Sequence, residues 1–298
     1  MAFREEFLEK QEYAEQVLRK YFSEEDLGKN RLGDAMRHAV FSGGKRLRPL
    51  FMLSAYEMYG GSSEIIEPFM AAIEMIHAYS LVHDDLPAMD NDTLRHGKPS
   101  TWSAYGEAMG ILAGDGLLTF AFQTAASALR IQDPNVTGET ITACIWFLAE
   151  KAGPIGMCLG QALDVDYTGT EIPEDVLVDI NDKKTGALFE ASFFIGAALA
   201  GASQEECEAL EYAASLVGRA FQLRDDILDI IGEEQALGKK TNSDEKNNKS
   251  NFVTRHGVEA ADRKVRELTQ EALDILEKLS GDSEFLSALI LELADRSF

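Results

Sequence analysis

Residues 76–92 read IHAYSLVHDDLPAMDND, an apolar run that ends in acids. From residue 64 onward apolar side chains recur at helical spacing, which predicts one long buried helix over 64–91. Asp84, Asp85 and Asp90 close it, where a solvated charge run would be out of place. Asp84 and Asp90 are six positions apart and would diverge on an unbroken helix. Pro87 lies between them and removes a backbone donor. A local two-residue bulge there would return Asp90 to the face of Asp84.

The pattern recurs at residues 221–232, FQLRDDILDIIG. Here Asp225 and Asp229 are four apart and share a helix face, with Asp226 beside them. Unpaired carboxylates within about 4 Å of each other repel by roughly 4 kcal/mol at an effective dielectric near 20. Clusters of this kind take up protons or bind cations. Oxygen donors without clustered Cys or His point to Mg²⁺, which favours one or two carboxylates completed by substrate phosphates. An exposed helix end with chance acids would explain one such motif; it explains two poorly.

Outward from these motifs the whole chain reads as helix. Its 298 residues are 45% apolar with only 7 prolines, enough for one sizeable core and poor in turns. The periodicity predicts an all-α, single-domain bundle over 1–298. About ten helices are expected, near 3–21, 28–41, 46–59, 64–91, 101–129, 137–151, 154–167, 173–200, 203–231 and 255–297, the last broken near Gly281. Ser23 to Asp26 and Ser203 to Glu206 have capping-box spacing, and Pro173-Glu174-Asp175 looks like a first helical turn. Gly232 to Asn251 is nearly empty of apolar residues and reads as a lid or a disordered loop.

The net charge of −23 excludes binding of nucleic acid or anionic membranes through charge. Cys144, Cys158 and Cys207 have no metal or redox spacing and read as buried thiols in a reducing compartment. The N-terminal stretch lacks a signal peptide's apolar core. The longest greasy stretch, Ala187 to Ala202, is too short to span a bilayer and contains Glu190. A cytoplasmic protein without membrane insertion is expected.

An acidic chain that handles anions must concentrate its bases. Gly43-Gly44-Lys45-Arg46-Leu47-Arg48-Pro49 puts three cations in four positions behind two glycines, which suits an anion site where a helix starts. A solvated basic turn is the plainer alternative. Arg95 and His96 follow Asp90 closely, and Lys184, Thr185 and Gln222 add donors on other helices. His77 lies two turns before Asp84 on nearly the same face, where an ordinary core histidine is also possible. Lys239 and Lys240 sit in the polar segment and could close over an anion or be plain surface lysines.

Together these motifs resemble the trans-isoprenyl diphosphate synthases, with the bacterial farnesyl diphosphate synthases the nearest subfamily. Besides the three stretches quoted, LAGD at 112–115, GQALDVD at 160–166 and KTGAL at 184–188 carry the resemblance, which runs over nearly the whole chain. It implies a helical bundle around a central cleft, a homodimer, and two aspartate motifs facing each other with three Mg²⁺ ions bound alongside an allylic diphosphate. Asp84, Asp90 and Asp225 would hold the metal, with Asp85, Asp226 and Asp229 close by. Arg95, Lys184 and Lys239 would grip the allylic diphosphate, and Thr185 and Gln222 would line its site. Lys45, Arg48 and His77 would bind isopentenyl diphosphate, and Gln161 and Asp164 would support from behind. The family usually has two arginines where this chain has Arg95-His96, so His96 implies weaker, pH-dependent binding of isopentenyl diphosphate.

The implied reaction is head-to-tail condensation of isopentenyl diphosphate with dimethylallyl and geranyl diphosphate to (2E,6E)-farnesyl diphosphate. An aromatic five residues before the first Asp, here Tyr79, goes with a farnesyl product in the family, although the helical wheel alone does not put it in the pocket. Ser80, one turn before Asp84, is small. Geranylgeranyl or geranyl products are the near alternatives. A class I terpene cyclase is a more distant one: Asn181-Asp182-Lys183-Lys184-Thr185 begins like such an enzyme's second metal motif, but Phe189 stands at its ninth position and Glu190 comes one late. A non-catalytic partner subunit would commonly lose an aspartate motif, and this chain keeps both.

Overall fold

The structure, a computed structural model, describes residues 2–170, 172–237 and 251–295. In chain order the helices are α1 (Ala2–Tyr21), α2 (Glu24–Leu27), α3 (Arg31–Phe41), α4 (Leu47–Met58), α5 (Glu67–Asp84), α6 (Thr101–Tyr105) and α7 (Glu107–Ser127). Then come α8 (Gly138–Ala152), α9 (Met157–Asp166), α10 (Glu174–Ile180), α11 (Ala187–Leu199), α12 (Gln204–Leu237), α13 (Phe252–His256), α14 (Val258–Leu276) and α15 (Glu284–Ala294). The all-α expectation holds.

α5 is the axis, because its sequence is apolar on nearly every face. α7 packs along one side of it, α4 along another, and α11 joins α4 to α12, against which α14 lies. One continuous core runs from Ala14 in α1 to Ala294 in α15. Phe51 of α4 stacks on Phe193 of α11 at 5.0 Å and meets Phe189 edge-on at 5.4 Å. Each such buried ring is worth about 2–3 kcal/mol of apolar transfer. With its leading 3₁₀ turn, the segment Glu64–Asp84 is 21 residues long and apolar enough to cross a membrane. This corrects the reading that Ala187–Ala202 is the longest greasy stretch. Most of Glu64–Asp84 is buried inside the bundle, so it serves as the core helix.

Several predicted helices are subdivided. The one over 64–91 stops at Asp84. The one over 101–129 breaks at Gly106, whose φ of 91° lies in the region that glycine favours. The one over 173–200 becomes α10, a π-helical turn Asn181–Gly186, and α11, with Pro173 just ahead of the first turn and not inside it. The last breaks at Gly257 as well as near Gly281. At its start, Asn251 and Thr254 form a capping box. The box foreseen at Ser203 forms: its Oγ accepts from Glu206 N, and Ser203 N donates to Glu206 Oε2. α12 continues to Leu237, so residues 232–237 of the expected loop are helical. Most of the remaining polar segment, including Lys239 and Lys240, lies outside the described residues. Among the described residues the only strand pairing is a hairpin of Leu94–Arg95 with Lys98–Pro99, turned by His96 and Gly97, both at positive φ.

Candidate active site

A cleft of about 1000 Å³ opens between the end of α5, the Gly43–Arg48 turn, α9, the π-helical turn and α12. At its first carboxylate wall the chain does not bulge and carry on as helix. It turns back: Asp85 N donates to Leu81 O, then Asp90 N donates to Asp84 O at 2.9 Å and Asn91 N to Leu86 O at 3.1 Å. Pro87, unable to extend the ladder, lies inside this turn. Asp90 comes back near Asp84 by this other route, without the expected bulge and with its side chain exposed. Burial pushes the Asp84 carboxyl up to about 6, with the Lys184 ammonium pulling it down and the Asp90 carboxylate pushing it up. Asp85 is only 2% exposed. Arg95 grips it, with Nε 3.1 Å from Oδ1 and Nη2 on the same oxygen. Burial still holds this carboxyl above the usual range, with Arg95 opposing.

On the facing wall, Asp225 of α12 lines the cleft. Asp226 points into the protein, where it accepts from Gln222 Nε2 at 2.9 Å, and Gln222 Oε1 accepts from Thr185 Oγ1 at 2.9 Å. Asp229 lies one turn on, exposed. The π-helical turn sets the neighbouring residues Lys184 and Thr185 both toward the cleft, a placement that 3.6-residue spacing does not foresee. Lys184 Nζ meets Asp164 Oδ2 at 2.7 Å. Gly160 of α9 lets the turn come close, since a Cβ there would sit 2.2 Å from Lys184 N. Gln161 Oε1 is buried in the same wall without a hydrogen-bond partner among the described residues.

The basic turn divides its cations. Arg46, at φ 54° and buried, donates to Glu15 Oε1 at 2.6 Å, Glu74 Oε1 at 2.8 Å and Val40 O at 2.7 Å. It ties α1, α3 and α5 to the turn and is unavailable to a ligand, which the run of three cations did not reveal. Arg48, over the Phe189 ring at 5.2 Å, has a buried Nε without a hydrogen-bond partner among the described residues. Burial pushes its guanidinium down to about 10. His77 is held well below the usual imidazole range by burial, then by Arg48, Arg46, His96 and Arg95, so it stands neutral. His96 packs on Gly43, with its Cβ 3.2 Å from where a Cβ on that glycine would lie. Burial and Arg95 lower its imidazole too. Lys45 is exposed at the rim.

The far end of the cleft is apolar. Tyr79 does line it, with its ring edge-on to His83 at 5.8 Å. The Tyr79 hydroxyl lies 3.4 Å from Cys158 Sγ. Ser80 also borders the cleft, donating to His77 O at 2.8 Å. Cys144 and Cys207 are buried as expected, but Cys158 is exposed to the cleft, a correction to the reading of all three as buried. Its residue type and spacing gave no signal of that position.

The donor set fits a hard divalent cation. The carboxylates are all-oxygen ligands, and one of them is penalised when charged without a cation. Among the described residues no three acidic, His or Cys side chains converge to cage an ion by themselves. An ion there would complete its shell from phosphate and water, as Mg²⁺ does. Arg48 Nε, buried in the same cleft without a partner among the described residues, suits an anion.

Residues 29–288 match the Polyprenyl synthetase family. A farnesyl diphosphate synthase of Geobacillus stearothermophilus is 42% identical over 261 residues, 88% of this chain and 87% of that one. A geranylgeranyl diphosphate synthase of Cyanophora paradoxa is 41% identical over 240 residues, 80% of this chain and 79% of that one. The crystal structure of a geranyltransferase from Legionella pneumophila superposes with a TM-score of 0.87 at 30% identity, covering 99% of this chain and 98% of that one. Two facing aspartate walls, a cation wall and this breadth of likeness agree: the chain belongs to the polyprenyl synthetase family and is a prenyl-transferring enzyme.

Proposed function

We propose that the enzyme condenses isopentenyl diphosphate with dimethylallyl and then geranyl diphosphate to (2E,6E)-farnesyl diphosphate. One observation supports this above the others: a single cleft has carboxylates on two walls, the desolvated cation Arg48 on a third, and Tyr79 among apolar lining residues. Asp84, Asp90 and Asp225 would hold Mg²⁺, with Asp85, Asp226 and Asp229 nearby, and the bound ion would supply the positive charge that a departing diphosphate needs. Lys184, Arg95 and Lys239 hold the allylic diphosphate, and Thr185 and Gln222 shape its seat. Asp164 positions Lys184, and Asp85 positions Arg95, each through its ion pair.

Arg48 and Lys45 hold the diphosphate of isopentenyl diphosphate, with His96 at the rim. Neutral His77 donates one hydrogen bond there without adding charge. As the allylic C–O bond breaks, the electron pair leaves with the diphosphate. The double bond of isopentenyl diphosphate then attacks the allylic cation, and a proton departs to the released diphosphate. The apolar walls keep water from the cation.

The Cyanophora relative favours a second reading, a geranylgeranyl product, which product analysis separates. We also place the enzyme in the cytoplasm, as a single domain that works as a homodimer. α7 supports the dimer: it has only two charged residues in 21, yet Ile111 and Leu112 are exposed, as is Trp146 of α8. Radiolabelled isopentenyl diphosphate with dimethylallyl or geranyl diphosphate, with and without EDTA, tests the proposal. Labelled farnesyl diphosphate that vanishes with EDTA is expected; label left in isopentenyl diphosphate would sink it.

A further inference from the structure

The end of the cleft is built from two helices. Tyr79 reaches it from α5, and Cys158 reaches it from the first turn of α9 with Met157 beside it. The phenol oxygen and the thiol sulfur meet at 3.4 Å. Cys158 is held in turn by Ala152, whose carbonyl accepts from Sγ at 3.1 Å. The Tyr79 ring is braced on its other side by His83, and His83 Nε2 lies 3.1 Å from Ile111 O. A phenol at the end of an apolar channel can swing about χ1 unless something fixes its tip. Here the tip is fixed by the thiol, and the thiol is fixed by backbone.

We propose that Cys158 is a specificity-determining residue: with Tyr79 it forms a two-part stop that sets the length of the growing prenyl chain. This rests on the prenyl-condensing reading of the cleft and adds to it the α9 half of the stop. The lengthening tail, directed away from the carboxylate walls, would meet the Tyr79–Cys158 contact. Taking away the thiol removes both bulk and the partner that pins the phenol, so Tyr79 can turn aside. Adding bulk at 158 closes the channel one isoprene unit earlier. One isoprene unit is several methylenes, and a single methylene in an apolar pocket already discriminates by about tenfold or more.

Two experiments test this with the Mg²⁺-loaded enzyme. First, products of Cys158→Ala and Cys158→Phe are compared with wild type and Tyr79→Ala by chromatography after dephosphorylation. Cys158→Ala should raise the ratio of geranylgeranyl to farnesyl product by about tenfold, and Cys158→Phe should raise the geranyl share. Total isopentenyl incorporation is measured alongside, so that a change of product length is told apart from a loss of turnover. A wild-type product pattern in both Cys158 variants overturns the proposal. A wild-type enzyme that condenses nothing instead overturns the function on which it rests. Second, alkylation of wild-type Cys158 by N-ethylmaleimide is followed by peptide mass spectrometry, with buried Cys144 and Cys207 as internal references. Farnesyl diphosphate should slow labelling about tenfold by filling the channel, while isopentenyl diphosphate alone should leave it unchanged. Equal labelling with and without farnesyl diphosphate overturns the proposal even if a variant fails to fold.

Discussion

At Asp84 burial sets a charged carboxylate against the stability of the metal-free fold. Its carboxyl is pushed from 3.8 to about 6, chiefly by burial. The folded protein therefore binds this proton more tightly than the unfolded chain does, and stability falls as pH rises between those two values. In metal-free buffer Asp84→Asn should gain about 1–2 kcal/mol above pH 6, after allowing for partial exposure, and gain nothing below about pH 4. Melting curves at both ends of that range check the sign, while activity with Mg²⁺ should disappear. His96 gives a second prediction at this scale. Its imidazole is lowered by burial and by Arg95, so it is neutral above pH 7 where an arginine would stay charged. His96→Arg should lower KM for isopentenyl diphosphate roughly two- to fivefold near pH 8 and less near pH 6. A KM that does not fall near pH 8 would remove His96 from the binding site.

At the scale of elements, glycine contacts separate positions that shape the site from positions that only turn the chain. Gly160 lies against the backbone of Lys184, and an added Cβ would stand 2.2 Å from its nitrogen. Gly160→Ala should cost about 2–4 kcal/mol and reduce kcat, because the π-helical turn must move and take Lys184 with it. Gly106, at φ 91° and ψ 153° with no described residue within 4 Å of an added Cβ, should cost about 1–3 kcal/mol as alanine through backbone strain alone and leave kcat intact. Denaturant unfolding with matched kinetics compares them. The contrast also marks what the sequence could disclose. Helices were legible because burial imposes a 3.6-residue period, and the aspartate clusters because acids at the end of a greasy run need a cation. The π-helical turn was not legible, since one added residue in a turn leaves composition and period almost unchanged. Nor was the duty of Arg46, whose partners Glu15 and Glu74 are far away in sequence. Asp90 was foreseen beside Asp84, but the means is a chain reversal after α5, because Pro87 forbids the ladder on which a bulge would depend.

At the scale of the molecule, charge and exposed apolar area pull in opposite directions. Two chains of −23 repel when they approach. Leu112 at 50% exposure and Trp146 at 64% offer apolar area that one chain leaves wet. If a second copy covers these side chains, association gains from burial and loses to long-range repulsion, and salt weakens only the repulsion. Homodimer formation should therefore tighten as salt rises from about 20 to 200 mM, opposite to an interface held by ion pairs. Leu112→Glu with Trp146→Glu should yield a particle near the 32.8 kDa chain mass in light-scattering chromatography. The same double variant should lose kcat as well. Ile111 lines the cleft and its carbonyl meets His83, which braces Tyr79, so a face uncovered at α7 loosens the end of the channel. A monomeric double variant with unchanged kcat and product length would separate assembly from catalysis, and a dimer that dissociates as salt rises would show that charge pairing, not apolar burial, joins the copies.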